Sequence, residues 1–210
     1  MKCMKHIVYL AVVLLFMLSY VAINGCGGDD DEPAAAGDYW PCAIGNLWDY
    51  VVTMTVDTGD TTMSVTGSIT LKIVGDTVLI NGQYVFMQEY VVTMSGSVDR
   101  DTYYIADTDT SILRFSSVYD TIPDVMLEFP LETGNNWIVS GYQTAAVLGR
   151  KNISVPAGTY NCYEVAYAAY GDTVYDYFAA NTGIVKEYMS DTESGMTLIV
   201  EVELEVAIIN

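Results

Sequence analysis

Beyond residue 39 the chain alternates between apolar and polar positions almost without interruption. Trp48, Tyr50, Val52, Met54 and Val56 fall on one face of an extended segment, the period-two signature of a half-buried strand. Ile69-Thr70-Leu71-Lys72-Ile73 alternates in the same way, with Gly59-Asp60 and Gly75-Asp76 read as turns beside it. Val78-Leu79-Ile80 runs into Asn81-Gly82, a strong hairpin signal because both residues tolerate positive φ. Tyr84–Met94 reads as a long strand, apolar on both faces except near Gln88 and Glu89, and Ser95-Gly96-Ser97 ends it. Tyr103-Tyr104-Ile105-Ala106 and Ile112-Leu113-Arg114-Phe115 flank an Asp/Thr turn. At the end of the chain, Leu198, Val200, Val202, Leu204, Val206 and Ile208 share one face, and Glu201, Glu203 and Glu205 share the other. That pattern predicts a strand with an acidic wet side, which also discourages edge-to-edge pairing. No useful window from residue 39 onward carries the i, i+3, i+4, i+7 spacing of a surface helix.

The second half repeats the first. Trp40-Pro41-Cys42-Ala43-Ile44-Gly45-Asn46-Leu47-Trp48 matches Phe129-Pro130-Leu131-Glu132-Thr133-Gly134-Asn135-Asn136-Trp137 in its aromatic, Pro, Gly-Asn and Trp positions. Further on, Ile80 to Tyr84 parallels Pro156 to Tyr160. Tyr103-Tyr104 through Arg114 parallels Tyr177-Phe178 through Lys186. The order of landmarks is kept, as expected for two copies of one supersecondary unit. In each copy Pro and Gly-Asn shape a turn, and the Trp plugs the core end of the following strand. The expected fold is all-β: a continuous antiparallel meander (barrel, half-barrel or sandwich) built from two similar β units, after an N-terminal signal helix. The β domain is placed at residues 39–210, with repeat units at about 39–120 and 128–210. Two small domains are the alternative, each with a marginal core.

The start of the chain has a different character. Lys2 and Lys5 precede an apolar run over residues 7–23, then Asn24-Gly25-Cys26. That order is the secretory-signal pattern, and Ile23-Asn24-Gly25-Cys26 resembles the bacterial lipobox. The resemblance implies a signal peptide over residues 1–25, lipid on the Cys26 sulfur and acylation of the new amino terminus. Several acyl chains anchor a protein without a spanning helix. The competing reading is an uncleaved transmembrane anchor. Residues 26–38, rich in Gly, Pro, Ala and consecutive acids, are expected to form a disordered acidic tether.

Cleavage before Cys26 would change the available chemistry. The chain has eight Lys and Arg against 27 Asp and Glu. Losing Lys2 and Lys5 leaves six cations against 27 acids, a net charge of −21. A nucleic-acid-binding face is thereby excluded, as is electrostatic docking on anionic lipid. His6, the single histidine, leaves with the signal, removing histidine-based triads, dyads and metal sites. Cys42 and Cys162 are then the free thiols, too few for a thiolate zinc site or an iron–sulfur cluster.

The candidate functional residues are few. Cys42 and Cys162 could form a disulfide in an oxidising compartment, worth about 4.7 kcal/mol for a ~100-residue loop. The favoured reading is two buried thiols acting as small hydrophobes, since the repeat aligns them with Leu131 and Phe86. Arg114 and Lys186 are repeat equivalents: each is expected to pair with neighbouring acids, or to bind a ligand carboxylate or phosphate. Asp107-Thr108-Asp109-Thr110-Ser111 resembles the start of a calcium loop, but Ile112 stands where glycine is needed, so an Asx-rich turn is expected. Tyr163 and Tyr167 share a face with Val165 and are assigned to the core, whereas Tyr170, Tyr175 and Tyr177 could be partly exposed. No catalytic residue, metal site or cofactor is assigned.

Phe129-Pro130-Leu131, Gly134-Asn135, Trp137, Val155-Pro156-Ala157-Gly158-Thr159-Tyr160, Cys162 and Gly183-Ile184-Val185-Lys186-Glu187 together resemble segments of uncharacterised bacterial envelope lipoproteins. A continuous antiparallel sheet on such a protein also resembles, at fold level, the curved-sheet lipoprotein carriers that hold acyl chains. These resemblances imply a bacterial envelope location, anchored by lipid on Cys26, with the outer membrane favoured. The expected function is non-enzymatic binding of a protein partner or an apolar ligand through the β-sheet. The alternatives are a purely structural surface module and a glycan hydrolase using two facing carboxylates.

Overall fold

A computed structural model describes residues 38–210. The proposed signal, Cys26 and nearly all of the proposed tether lie outside the described residues. The described chain is all-β, with no helix. Its first six strands are β1 (Leu47–Asp57), β2 (Thr62–Val78), β3 (Tyr84–Met94), β4 (Ser97–Asp107), β5 (Ser111–Phe115) and β6 (Asp124–Glu128). The second six are β7 (Asn136–Ser140), β8 (Gln143–Val155), β9 (Gly158–Ala169), β10 (Asp172–Ala179), β11 (Gly183–Glu193) and β12 (Met196–Ile208).

All twelve strands join one antiparallel sheet in the order β6-β5-β4-β3-β2-β1-β12-β11-β10-β9-β8-β7. Each copy of the repeat is a six-strand meander, and the copies join head to tail where β1 pairs with β12. The sheet curls into a nearly closed barrel. Its two end strands, β6 and β7, lie beside each other without a hydrogen-bonded ladder. Side chains bridge this seam: Trp137 Nε1 donates to Val125 O at 2.9 Å, and the Tyr167 hydroxyl donates to Met126 O.

The turn before the first strand of each copy has the same construction. Asn46 Nδ2 donates to Pro41 O at 2.9 Å, and Asn135 Nδ2 donates to Pro130 O at 2.9 Å. Gly45 N–H bonds Ile73 O at 2.8 Å, and Gly134 N–H bonds Val147 O at 2.9 Å. Both glycines have positive φ, +97° and +92°, where a Cβ would be strained. The aligned motif is therefore a structural clasp: it ties the entrance of one strand to a residue within the next.

Trp48, Tyr50, Val52 and Met54 are buried in the core, as the alternation predicts. Ile69, Ile73, Val200, Val202 and Leu204 join them. A second cluster gathers Tyr39, Trp40, Trp137, Tyr163, Val165, Tyr167 and Phe178. The tip of the β8–β9 hairpin folds back on β12, with Ala157 N–H on Leu204 O at 3.0 Å.

Three local expectations are corrected. Gly75-Asp76 lies within β2 and is no turn; Val74 is bulged out of the ladder with β3 between Ile73 and Gly75, and the pairing continues to Val78. A bulge adds one residue to a strand and bends it without ending it. Around Asn81-Gly82 the connection spans residues 79–83, because Leu79 leaves the ladder to be buried. In β12, Val206 and Ile208 are 43% and 51% exposed instead of sharing the buried face. The pairing with β1 skips Glu205 between Tyr50 and Asp49, which reverses the side-chain alternation beyond it.

Candidate functional site: a polar cluster inside the barrel

A cavity of about 110 Å³ lies inside the barrel, and every one of the twelve strands supplies wall residues. Most of the wall is apolar: Ile69, Leu71, Val139, Val174 and Val202 are examples. Against it stand Gln88 from β3, Arg114 from β5, Asp176 from β10 and Glu187 from β11, with Tyr50, Tyr90, Tyr103 and Tyr167 around them. Met126 and Val139 belong to the two seam strands, so the cavity extends to the gap between them.

Asp176 and Glu187 are direct cross-strand partners in the β10–β11 ladder. Cβ atoms in such pairs lie about 4.5–5.5 Å apart, and two like charges there repel. Asp176 is 6% exposed. Burial first, then the Glu187 charge, raises its carboxyl well above the usual range, with Arg114 opposing. Glu187 as a residue is partly accessible, but its Oε1 is sealed from solvent. Burial pushes its carboxyl up to about 7, again against Arg114. The pair therefore holds a proton near neutrality, as two close carboxylates in a dry site must. Burial, and then the nearby acids, also raise the hydroxyls of Tyr50 and Tyr167, with Arg114 again opposing at Tyr167.

Four buried polar atoms here have no hydrogen-bond partner among the described residues: Trp40 Nε1, Gln88 Nε2, Asp176 Oδ1 and Glu187 Oε1. All four belong to residues that line this cavity. Each such atom costs about 1–3 kcal/mol if nothing pairs with it. Their gathering in one cavity marks a place where water or a bound molecule would supply the partners.

Arg114 lies in the cavity wall. Its Nη2 bonds Asp124 Oδ2 at 2.8 Å, and its guanidinium sits 5.2 Å from the Tyr103 ring centre. Its repeat equivalent, Lys186, does not line the cavity. Lys186 Nζ instead clamps Glu201 Oε1 at 2.9 Å and Glu203 Oε1 at 2.8 Å on β12. The structure thus separates these two expected ligand residues.

Cys42 and Cys162 are free thiols. Cys162 is buried in the first core cluster, and Cys42 packs against the second. Tyr163 and Tyr167 are buried as expected, and Tyr170 is 66% exposed at the β9–β10 turn. The segment from Asp107 to Ser111 is a turn in which Thr108 Oγ1 bonds the Ser111 backbone. Among the described residues no group of three or more His, Cys, Asp or Glu is placed to hold a metal ion. No helix among them is long and apolar enough to cross a membrane.

Sequence reasoning missed Asp176, Glu187 and Gln88 as a group. A local signal existed for the acids. Asp176 stands between Val174 and Phe178, and Glu187 between Val185 and Met189, so each is flanked at i±2 by apolar residues. The anticipated alternative of two facing carboxylates finds an inward acid pair here.

No family model matches the chain, and no curated protein does. Among solved structures, it is similar to a Bacteroides fragilis protein of YmcC-like fold, proposed to be exported. The TM-score is 0.54 at 11% identity, over 82% of this chain and 100% of that one. A proposed lipoprotein from Parabacteroides distasonis matches at a TM-score of 0.42 and 12% identity, over 83% of this chain and 100% of that one. At such identities the first likeness defines the class by fold alone: a YmcC-like, all-β body.

Proposed function

We propose that the protein is a lipid-anchored envelope lipoprotein whose barrel interior receives an apolar or amphiphilic ligand. The observation that carries this reading is the interior cavity: an apolar wall with a few convergent polar groups, drawn from all twelve strands. The lipobox-like Ile23-Asn24-Gly25-Cys26 supports anchoring through Cys26. The similar Bacteroides fragilis and Parabacteroides distasonis proteins are named as exported and as a lipoprotein, in keeping with an envelope location, with the outer membrane favoured. The motif resemblance of the second half points the same way.

The cavity is smaller than the ~150 Å³ engineered cavity that takes benzene, so it accepts a group of a few heavy atoms and not a whole acyl chain. The rest of an amphiphile would lie along the seam between β6 and β7, where no ladder closes the wall. Binding is tested by native mass spectrometry of the purified protein and by uptake and displacement of an apolar fluorescent dye. Retained small amphiphiles and saturable dye binding are expected. A clean unliganded mass together with no dye binding would overturn the reading and leave a purely structural module.

A further inference from the structure

The unpartnered atoms in the cavity are not a random set. Two are acceptors, Asp176 Oδ1 and Glu187 Oε1, side by side across the β10–β11 ladder. Two are donors, Trp40 Nε1 and Gln88 Nε2, and their residues also share a small adjoining pocket with Trp48 and Tyr50. Asp176 and Gln88 are 6% and 4% exposed, so neither side chain is available to bulk water. A molecule that satisfies all four must offer hydrogens at one end and a lone pair close by.

Charge narrows the choice further. Arg114 bonds Asp124 at 2.8 Å and also acts on Asp176 and Glu187, so one guanidinium serves three acids. Three carboxyl groups, Asp124, Asp176 and Glu187, thus share one cation, which leaves acid charge in excess at the cavity. A neutral donor would satisfy the geometry but leave that charge uncompensated in an apolar wall, where it is costly. A cation with hydrogens to give satisfies both.

Resting on the interior-binding reading above, we propose that the cavity recognises a primary ammonium group with a neighbouring oxygen acceptor, an amino-alcohol head. Its ammonium lies between Asp176 and Glu187, and its oxygen accepts from Gln88 and Trp40. The carbon skeleton beyond it meets the apolar wall and leaves by the β6–β7 seam. The repeat makes this site single and not double. Aligning Tyr103 with Tyr177, and after one gap Arg114 with Lys186, puts Thr102 and Phe115 where Asp176 and Glu187 stand in the second copy.

The test compares three six-carbon probes on the purified protein by calorimetry: 2-amino-1-hexanol, hexylamine and 1-hexanol. The amino alcohol is expected to bind at least about ten-fold more tightly than the alcohol, with the amine between them. Asp176→Asn and Glu187→Gln should each bring the affinity for the amino alcohol down to that for 1-hexanol measured on the same variant. Neither substitution adds charge or bulk, and thermal unfolding checks that each variant folds. Equal affinity for amino alcohol and alcohol in the unsubstituted protein would overturn the proposal, as would a preference that survives both substitutions. Dye and hexanol binding without ammonium preference sinks this inference alone; no binding of any probe sinks the interior-binding reading with it. Competition by a short-chain phosphatidylethanolamine against free ethanolamine tells whether the head comes from a lipid or a soluble amine, and either supports the proposal.

Discussion

Asn46 and Asn135 make the same hydrogen bond in the two halves of the barrel, each from Nδ2 to the carbonyl of the proline five residues earlier, at 2.9 Å. Their surroundings differ. Asn46 is fully buried, and its Oδ1 also accepts from the Asn210 backbone N–H at 2.9 Å; the Asn135 bond is exposed. Replacing Asn46 by Ala removes both bonds and strands a buried carbonyl, so about 2–4 kcal/mol of stability is expected to be lost. Asn135→Ala should cost about 1 kcal/mol. Urea unfolding of the two variants measures the difference. Equal losses would mean that burial does not set the value of the clasp.

Stability should depend on pH through the interior acids. Their carboxyl pKa values are raised on folding, to about 7 for Glu187 and well above the ordinary value for Asp176. The native state thus binds more protons than the unfolded state once the pH exceeds the ordinary carboxylate value. Stability is therefore full below that value, falls as the pH rises through about 7, and levels off above. The groups facing the pair are Arg114 from β5, Tyr50 from β1, Tyr90 from β3 and Tyr167 from β9. Asp107 and Asp172, raised mainly by burial, add a slope of the same sign. The diagnostic is accordingly a difference. Glu187→Gln should flatten the fall between pH 5 and 8 by a few kcal/mol, because each tenfold gain in proton affinity on folding is worth about 1.4 kcal/mol. Thermal melts at a series of pH values would show it, and parallel curves for the two proteins would contradict the assignment.

The seam has its own handle. Trp137→Phe keeps the ring in the core and removes only the Nε1 bond to Val125 O across β6 and β7. About 1 kcal/mol of stability should be lost. Amide exchange should quicken in Asp124–Glu128 and Asn136–Ser140 first, because no ladder ties these strands to each other. Uniform acceleration across the sheet would show that the seam is not the weak line.

Both thiols should be unreactive in the native protein. Burial raises the Cys162 thiol to about 12 and pushes Cys42 higher, with Asp107 and Asp38 adding to the effect at Cys42. Little thiolate exists near neutral pH to attack an alkylating agent. Labelling of Cys42 and Cys162 is expected only after denaturation, with no change of mass on reduction. Rapid native labelling of either would contradict their placement.

Much of the fold is legible in the chain itself. The period-two face of Trp48 to Met54 needs only the strand repeat, and burial follows it, whereas around Tyr163 and Val165 the intervening Glu164 is buried as well. The Gly-Asn-x-Trp landmarks locate both copies because a positive-φ glycine and a bonded Asn leave a compositional trace. What escapes is set by bulges and distant pairing. A Gly-Asp pair has the same composition in a turn as beside a bulge, so Gly75-Asp76 reads as a turn although the strand runs through it. The reversal beyond Glu205 depends on which β1 residue faces Leu204, and no local pattern holds that information. The interior site escapes for the same reason. Gln88 and the Asp176–Glu187 pair come from opposite halves of the chain, and only closure of the sheet brings them to one cavity.

The junction of the two copies also governs when the molecule can exist at all. β1 is among the first segments to emerge from any machine that delivers the chain in order, and β12 is the last. Between them they form one of the longest ladders, running from Leu47 opposite Ile208 to Asp57 opposite Thr197. Contacts so far apart in sequence close slowly, because the whole intervening chain must be gathered first. Until the final strand arrives, the inner edge of the first meander stays bare. The polypeptide becomes a vessel only when β12 has found β1.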